Sequence, residues 1–217
     1  PNGVDPEKFK PTDPVPEIRD RNAILVPRNL FQNRGVHLAV EAFAQFHPFR
    51  PETTLFLVGG GGQAEYVQSL RREIEARGLR KSVVFYGHAP HDELPAIYAS
   101  AQLTLIPSLC GEGTSLSALE SMACGTPTIC TWVAGLRDLP GPHSLPLVSS
   151  LVETMHATYP QRKEIGEDQR EIALAVYSID RWRESWREAL KGVGIAPVRQ
   201  GQAPAIPNRS VTPMGER

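Results

Sequence analysis

The chain has 217 residues, 41% of them hydrophobic, with 23 Lys plus Arg against 24 Asp plus Glu and a formal net charge of −1. That length carries one substantial α/β domain with residues to spare, and the balanced charge supplies neither a nucleic-acid face nor a polybasic membrane patch. Cys110, Cys124 and Cys130 lack C-x-x-C spacing and point to reduced thiols of a cytosolic protein, and there is no signal-peptide core or membrane-length apolar run.

Residues 1–22, rich in proline and charge, read as an extended lead-in segment. Ala23-Ile24-Leu25-Val26 is the first buried strand, and from Val36 the apolar positions Val36, Leu38, Ala39, Val40, Ala42, Phe43 and Phe46 follow a helical period. Thr54–Val58 is the second strand; Gly59-Gly60-Gly61-Gly62 ends it, and a charged amphipathic helix runs from Gln63 to Arg77, stopped by Gly78. Val83–Tyr86 is the third strand, followed by a short helix capped by His91 or Asp92 and ending at Ser100. Leu103–Ile106 and Thr128–Thr131 are the fourth and fifth strands. Beyond Pro140 the strand signal fades; Leu151–Tyr159, Glu167–Val176 and Asp180–Lys191 read as helices, and from Gly192 the aperiodic tail is expected to be disordered. Strands alternating with helices predict an α/β fold, a doubly wound Rossmann-like parallel sheet with helices on both faces.

The segment Ser108–Thr131 is the most informative part of the chain. It ends an apolar strand, turns through Gly111-Glu112-Gly113-Thr114-Ser115, opens a helix bearing Glu120, and stops at Gly125-Thr126-Pro127. A helix start of this kind presents unpaired N–H groups and a positive dipole end to an anion. With strand order 3-2-1-4-5, ligands bind where the winding reverses, between the C-terminal ends of the first and fourth strands. That brings Arg28 and Arg34 of the first loop opposite Glu112 and the helix start, a cradle suited to a diphosphate. The glutamate pair is weak evidence by spacing alone, because eight positions leave two helical side chains about 80° apart. A dinucleotide fingerprint at Gly59, Gly61 and Ala64 is a competing reading, against which stand its place after the second strand and the lack of an acid after the third. The sequence has no P-loop, no G-x-S-x-G elbow, no zinc spacing among its histidines and no Asp-x-Asp pair.

Five segments in order, Pro-Asn-Gly-Val-Asp (1–5), Pro-Arg-Asn-Leu-Phe-Gln-Asn-Arg-Gly (27–35), Leu-Val-Gly-Gly-Gly-Gly (57–62), His-Asp-Glu-Leu-Pro-Ala-Ile-Tyr-Ala (91–99) and Glu-Gly-Thr-Ser-Leu-Ser-Ala-Leu-Glu-Ser-Met-Ala-Cys-Gly-Thr-Pro (112–127), resemble the C-terminal domain of GT-B fold glycosyltransferases of family 4 (glycosyl transferases group 1). The resemblance extends to about Leu190. It implies an inter-lobe segment at 1–22, a nucleotide-sugar-binding domain with C-terminal helices at 23–191, and a tail at 192–217. By this resemblance Glu112 meets hydroxyls of the donor sugar and Glu120 takes the ribose. An arginine and a lysine usually hold the diphosphate; here Asn29 stands in the arginine slot with Arg28 beside it, and Arg34 replaces the lysine. Ser115 replaces a turn glycine, and Gly59, Gly60, Gly113, Thr114 and Leu116 complete the expected binding surface.

The implied function is donor binding in a retaining, metal-independent transfer from an NDP-sugar, without a cofactor. Glu112, Arg28 and Arg34 would be catalytic, with front-side attack and the arginines stabilising the leaving pyrophosphate. The expected partners are a nucleotide sugar and an N-terminal acceptor-binding lobe, with no nucleic acid. The parent protein would be peripheral at a membrane, and this domain soluble and cytoplasmic. Since the sequence starts at the segment that enters the second lobe in this family, the chain alone is expected to bind donor but transfer little, with Trp182 and Trp186 partly exposed. Two alternatives are a dinucleotide-binding domain centred on Gly59–Gly62 and a degenerate lobe acting as an interaction module.

Overall fold

The computed structural model describes residues 2–193; the expected disordered tail, apart from Gly192 and Val193, lies outside them. Six parallel strands form one sheet in the order β3-β2-β1-β4-β5-β6. They are β1 (Ala23–Val26), β2 (Thr54–Val58), β3 (Val83–Gly87), β4 (Leu103–Ile106), β5 (Thr128–Thr131) and β6 (His143–Ser144). Every residue of β1, β2, β4 and β5 is buried, the pattern of parallel strands covered on both faces. The winding reverses between β1 and β4, which are direct neighbours, so both of their C-terminal loops open into one crevice. This is the predicted Rossmann-like architecture, extended by β6.

Helices α1 (Pro16–Arg19), α2 (Val36–Phe46), α3 (Ala64–Ala76), α4 (Leu94–Ala99), α5 (Leu116–Ala123), α6 (Val148–Thr158) and α7 (Arg162–Tyr177) flank the sheet on both faces, and α8 (Ile179–Gly192) follows in the chain. One core layer joins Val36, Val40, Phe43 and Phe46 of α2 to Leu151 and Met155 of α6. The other joins Ala118, Leu119 and Met122 of α5 to Ala173 and Tyr177 of α7, and includes Val4, Phe9 and Ile18 of the lead-in segment. Leu94 opens α4, one or two positions later than capping by Asp92 or His91 predicts; Glu93 occupies the cap and Pro95 the first turn, where its missing N–H is harmless.

β6 is where the expected loss of strand signal beyond Pro140 fails. Two residues leave no period to read, and their pairing with Cys130 and Thr131 is set by β5. Below that strand, Gln169 of α7 accepts from Thr128 N (2.7 Å) and donates to Thr128 O (2.8 Å) and Pro140 O (2.9 Å), tying α7 to the β5 end.

Residues up to Trp182 form one unit and those from Arg183 a second. In the first, Trp182 is half-buried and its Cβ lies 2.8 Å from the position a Cβ on Gly3 would take. In the second, Trp186 is exposed. No described helix is long and apolar enough to cross a membrane.

Burial pushes the thiols of Cys124 and Cys130 up to about 12, whereas Cys110 is exposed. Because the thiolate is the nucleophile, iodoacetamide at pH 8 is expected to alkylate Cys110 alone in the native protein and all three cysteines after denaturation. Intact mass measurement reads the difference, and rapid double labelling of native protein would show the two buried positions to be open.

Candidate functional site

The crevice at the winding reversal holds a cavity of about 300 Å³. Arg28, Asn29, Arg34, Gly59 and Gly60 line it, together with His88, Tyr98 and Ser117. Ser117 is the contribution of α5; Gly113, Thr114, Ser115 and Leu116 precede it without reaching the lining.

Two close approaches shape the first loop. Gly59, just past β2, lies so near the β1 loop that a Cβ there would stand 2.2 Å from Arg28 O. Gly35 ends the loop in the left-handed region (φ 67°), where a Cβ would meet Pro107 O at 1.8 Å. Gly59 therefore serves loop-on-loop packing, as does Gly62 against Leu30 O. Of the loop's two adjacent lining residues, Asn29 is exposed, whereas Arg28 is buried.

The charges converge on one oxygen. Arg28 Nη2 lies 3.2 Å from Glu112 Oε2 and donates to Ser108 Oγ at 3.0 Å; Ser108 Oγ donates to the same Glu112 oxygen at 3.0 Å; and Arg34 Nη1 pairs with it too. Arg28 and Glu112 are nearly closed off, at 7% and 10% side-chain exposure, while Arg34 is 35% exposed. Burial holds the Arg28 guanidinium below its usual range, and the attraction of Glu112 opposes that only in part. Arg28 Nε, moreover, is buried with no partner. The cation is thus desolvated and incompletely bonded.

Glu120 is the other buried carboxylate of the region, 7% exposed. Tyr98 donates its hydroxyl to Oε2 at 3.2 Å, and burial followed by the Glu120 charge drives the Tyr98 pKa well above its usual value, so the donor keeps its proton. His91 Nε2 lies 3.4 Å from Oε1. In the turn before α5, Thr114 O accepts from Asn2 Nδ2 at 2.6 Å, and Glu112 O accepts from Gly135 N at 2.9 Å. Ser115 caps α5 by position only; its buried hydroxyl has no partner.

Sequence reasoning passed over Ser108, Tyr98 and His91. Tyr98 and His91 belong to the 91–99 segment, but nothing local says that they face a helix more than 20 residues on. Among the described residues no group of three or more His, Cys, Asp or Glu side chains is arranged to hold a metal ion.

The sequence pattern of the glycosyl transferases group 1 family matches residues 10–144, from the lead-in segment through β6. The chain belongs to that family. Among its group 1 relatives, a GDP-mannose-dependent alpha-(1-6)-phosphatidylinositol monomannoside mannosyltransferase of Mycolicibacterium smegmatis is 26% identical over 94% of this chain and 56% of its own length. A D-inositol 3-phosphate glycosyltransferase of Acidothermus cellulolyticus is 34% identical over 63% of this chain and 33% of its own. The chain thus spans between about a third and just over half of these relatives. Among solved structures, Anabaena HepE in complex with UDP superposes with a TM-score of 0.77 at 22% identity, over 88% of this chain and 56% of that one. The C-terminal domain of a glycosyl transferase group 1 protein from Francisella tularensis superposes with a TM-score of 0.73 at 21% identity, over 82% of this chain and all of that domain. The fold is that of a Rossmann-like GT-B lobe.

Proposed function

We propose that the β1–β4 crevice of this group 1 lobe binds a nucleoside diphosphate sugar and supplies the donor half of a glycosyl transfer. The observation that carries this reading is Arg28: buried on the crevice lining, bonded through Nη2 and unpartnered at Nε. With Arg34 it places two cations where a departing diphosphate gains charge, the interaction that lowers a transfer barrier most when preorganised in a dry site. In this assignment Arg28 occupies the functional place of the expected slot residue Asn29. Glu112 meets the donor sugar, Glu120 the ribose, and the helix start at Gly113–Leu116 adds N–H groups along the same anion.

The reading includes a retaining, metal-independent reaction, with the arginines in the part a divalent cation plays elsewhere, and an acceptor held by a partner lobe so that donor and acceptor meet in a closed cleft. The relative named for GDP-mannose and the neighbours complexed with UDP and UDP-glucose support a nucleoside diphosphate as the ligand class. They name different bases, so the base is left to experiment. A buried arginine on the crevice lining favours donor binding over a degenerate interaction module.

Calorimetric titration with UDP, GDP and ADP, with and without magnesium, tests the reading. At least one is expected to bind irrespective of magnesium, and Arg34→Ala is expected to weaken it about tenfold, the equivalent of about 1.4 kcal/mol. Failure of all three would overturn the donor assignment.

A further inference from the structure

Glu120 is held by more than its own helix. Lys8, in the lead-in segment, places its ammonium 2.8 Å from His91 Nδ1 and also pairs with Asp92. An ammonium only donates, so Nδ1 must offer its lone pair, and the neutral ring then carries its proton on Nε2. That nitrogen is the one facing Glu120 Oε1 at 3.4 Å. Phe9, adjacent to Lys8 and buried, packs edge-on against the His91 ring at 5.3 Å between centroids and lies 6.3 Å from the Tyr98 ring. The lead-in segment therefore braces both donors to the carboxylate, His91 on Oε1 and Tyr98 on Oε2. An ionised carboxylate has about four lone-pair positions. One bond from the protein to each oxygen leaves one position free on each, the arrangement a vicinal diol needs.

Resting on the donor-site reading above, we infer that His91, with its tautomer set by Lys8, is a positioning residue that aims Glu120 at the two ribose hydroxyls and so makes the site selective for ribonucleotides over deoxyribonucleotides. His91 acts on the ligand through Glu120. The contact is charge-assisted, and its loss frees one edge of the carboxylate to rotate.

The test uses calorimetric titration of the whole chain with UDP, GDP and ADP and with the 2′,3′-dideoxy forms of whichever binds. His91→Ala is expected to weaken the ribonucleotide about tenfold, the worth of one such bond, and to leave the dideoxy form unchanged, so that discrimination collapses. His91→Gln, which can accept from Lys8 and donate to Glu120, is expected to restore discrimination, and Lys8→Met to erode it part-way. Equal weakening of both ligands by His91→Ala, or no change in either, would overturn the inference, as would a glutamine variant no better than alanine. Equal affinity of the unaltered chain for ribo and dideoxy forms would also overturn it while leaving donor binding intact. If none of the three diphosphates bound, the donor-site reading itself would fall. His91 is exposed, so its variants are expected to fold; matching urea midpoints confirm it.

Discussion

Arg28→Met is expected to weaken nucleoside diphosphate binding about 100-fold or more, about 2.8 kcal/mol, while leaving the fold as stable as before or more stable by up to about 2 kcal/mol. The affinity loss exceeds that expected for Arg34→Ala because Arg28 is buried, and a charge–charge interaction strengthens as water is excluded. The stability change has the opposite sign for the same reason. Desolvation opposes the guanidinium charge more than Glu112 favours it, so removing the charge is not expected to cost stability. Methionine fills a similar volume without the charge, and Glu112 keeps Arg34 and Ser108 as partners. Breaking an isolated buried pair costs about 3–5 kcal/mol through the charge left behind; here the remaining charge is still paired. Urea midpoints and calorimetric affinities measured on one preparation decide the matter. A variant several kcal/mol less stable with its affinity intact would make Arg28 a structural residue.

The same arginine marks the boundary of what the sequence discloses. Five strands are legible because Ala23–Val26, Thr54–Val58, Val83–Tyr86, Leu103–Ile106 and Thr128–Thr131 are short apolar runs set off by turn residues, and the winding rule then pairs the correct two loops. The burial of Arg28 is not legible. Two adjacent polar residues share a loop that Gly59 approaches closely at the Arg28 carbonyl, and one is buried while the other is exposed. The helical angle between the two glutamates proves irrelevant, since Glu112 lies in the loop and α5 begins only at Leu116. Ser108, Tyr98 and His91 acquire roles through partners from 4 to 83 residues away, and most of those meetings exist only after the sheet has wound. The start of α7 is hidden likewise: its first turn is charged, and Arg162 is tied to Gln102 across the fold at 2.8 Å, a contact without a local signature.

Glu112→Gln should move stability and affinity the other way from Arg28→Met. Glu112 Oε2 is the meeting point of Arg28 Nη2, Arg34 Nη1 and Ser108 Oγ. Glutamine keeps an acceptor there but removes the charge, so two guanidinium groups face each other with their shared counter-charge gone. One of them is a third exposed and water screens its share, which places the expected destabilisation at about 2 kcal/mol, below the usual range for a buried pair. An incoming diphosphate must share these arginines with Glu112 in the unaltered protein; in the variant it supplies the missing charge itself. Pyrophosphate and the cognate nucleoside diphosphate are therefore expected to bind about tenfold more tightly, about 1.4 kcal/mol. At 100 times its dissociation constant such a ligand adds about 2.7 kcal/mol to the folded state, enough to return the variant to the stability of the unliganded parent. Unfolding curves with and without pyrophosphate report both quantities. If the variant is as stable as the parent in plain buffer and binds pyrophosphate no better, Glu112 does not balance the arginines. If stability falls and affinity rises together, the carboxylate is a stand-in for the ligand's own charge, and the crevice is already organised around an anion before one arrives.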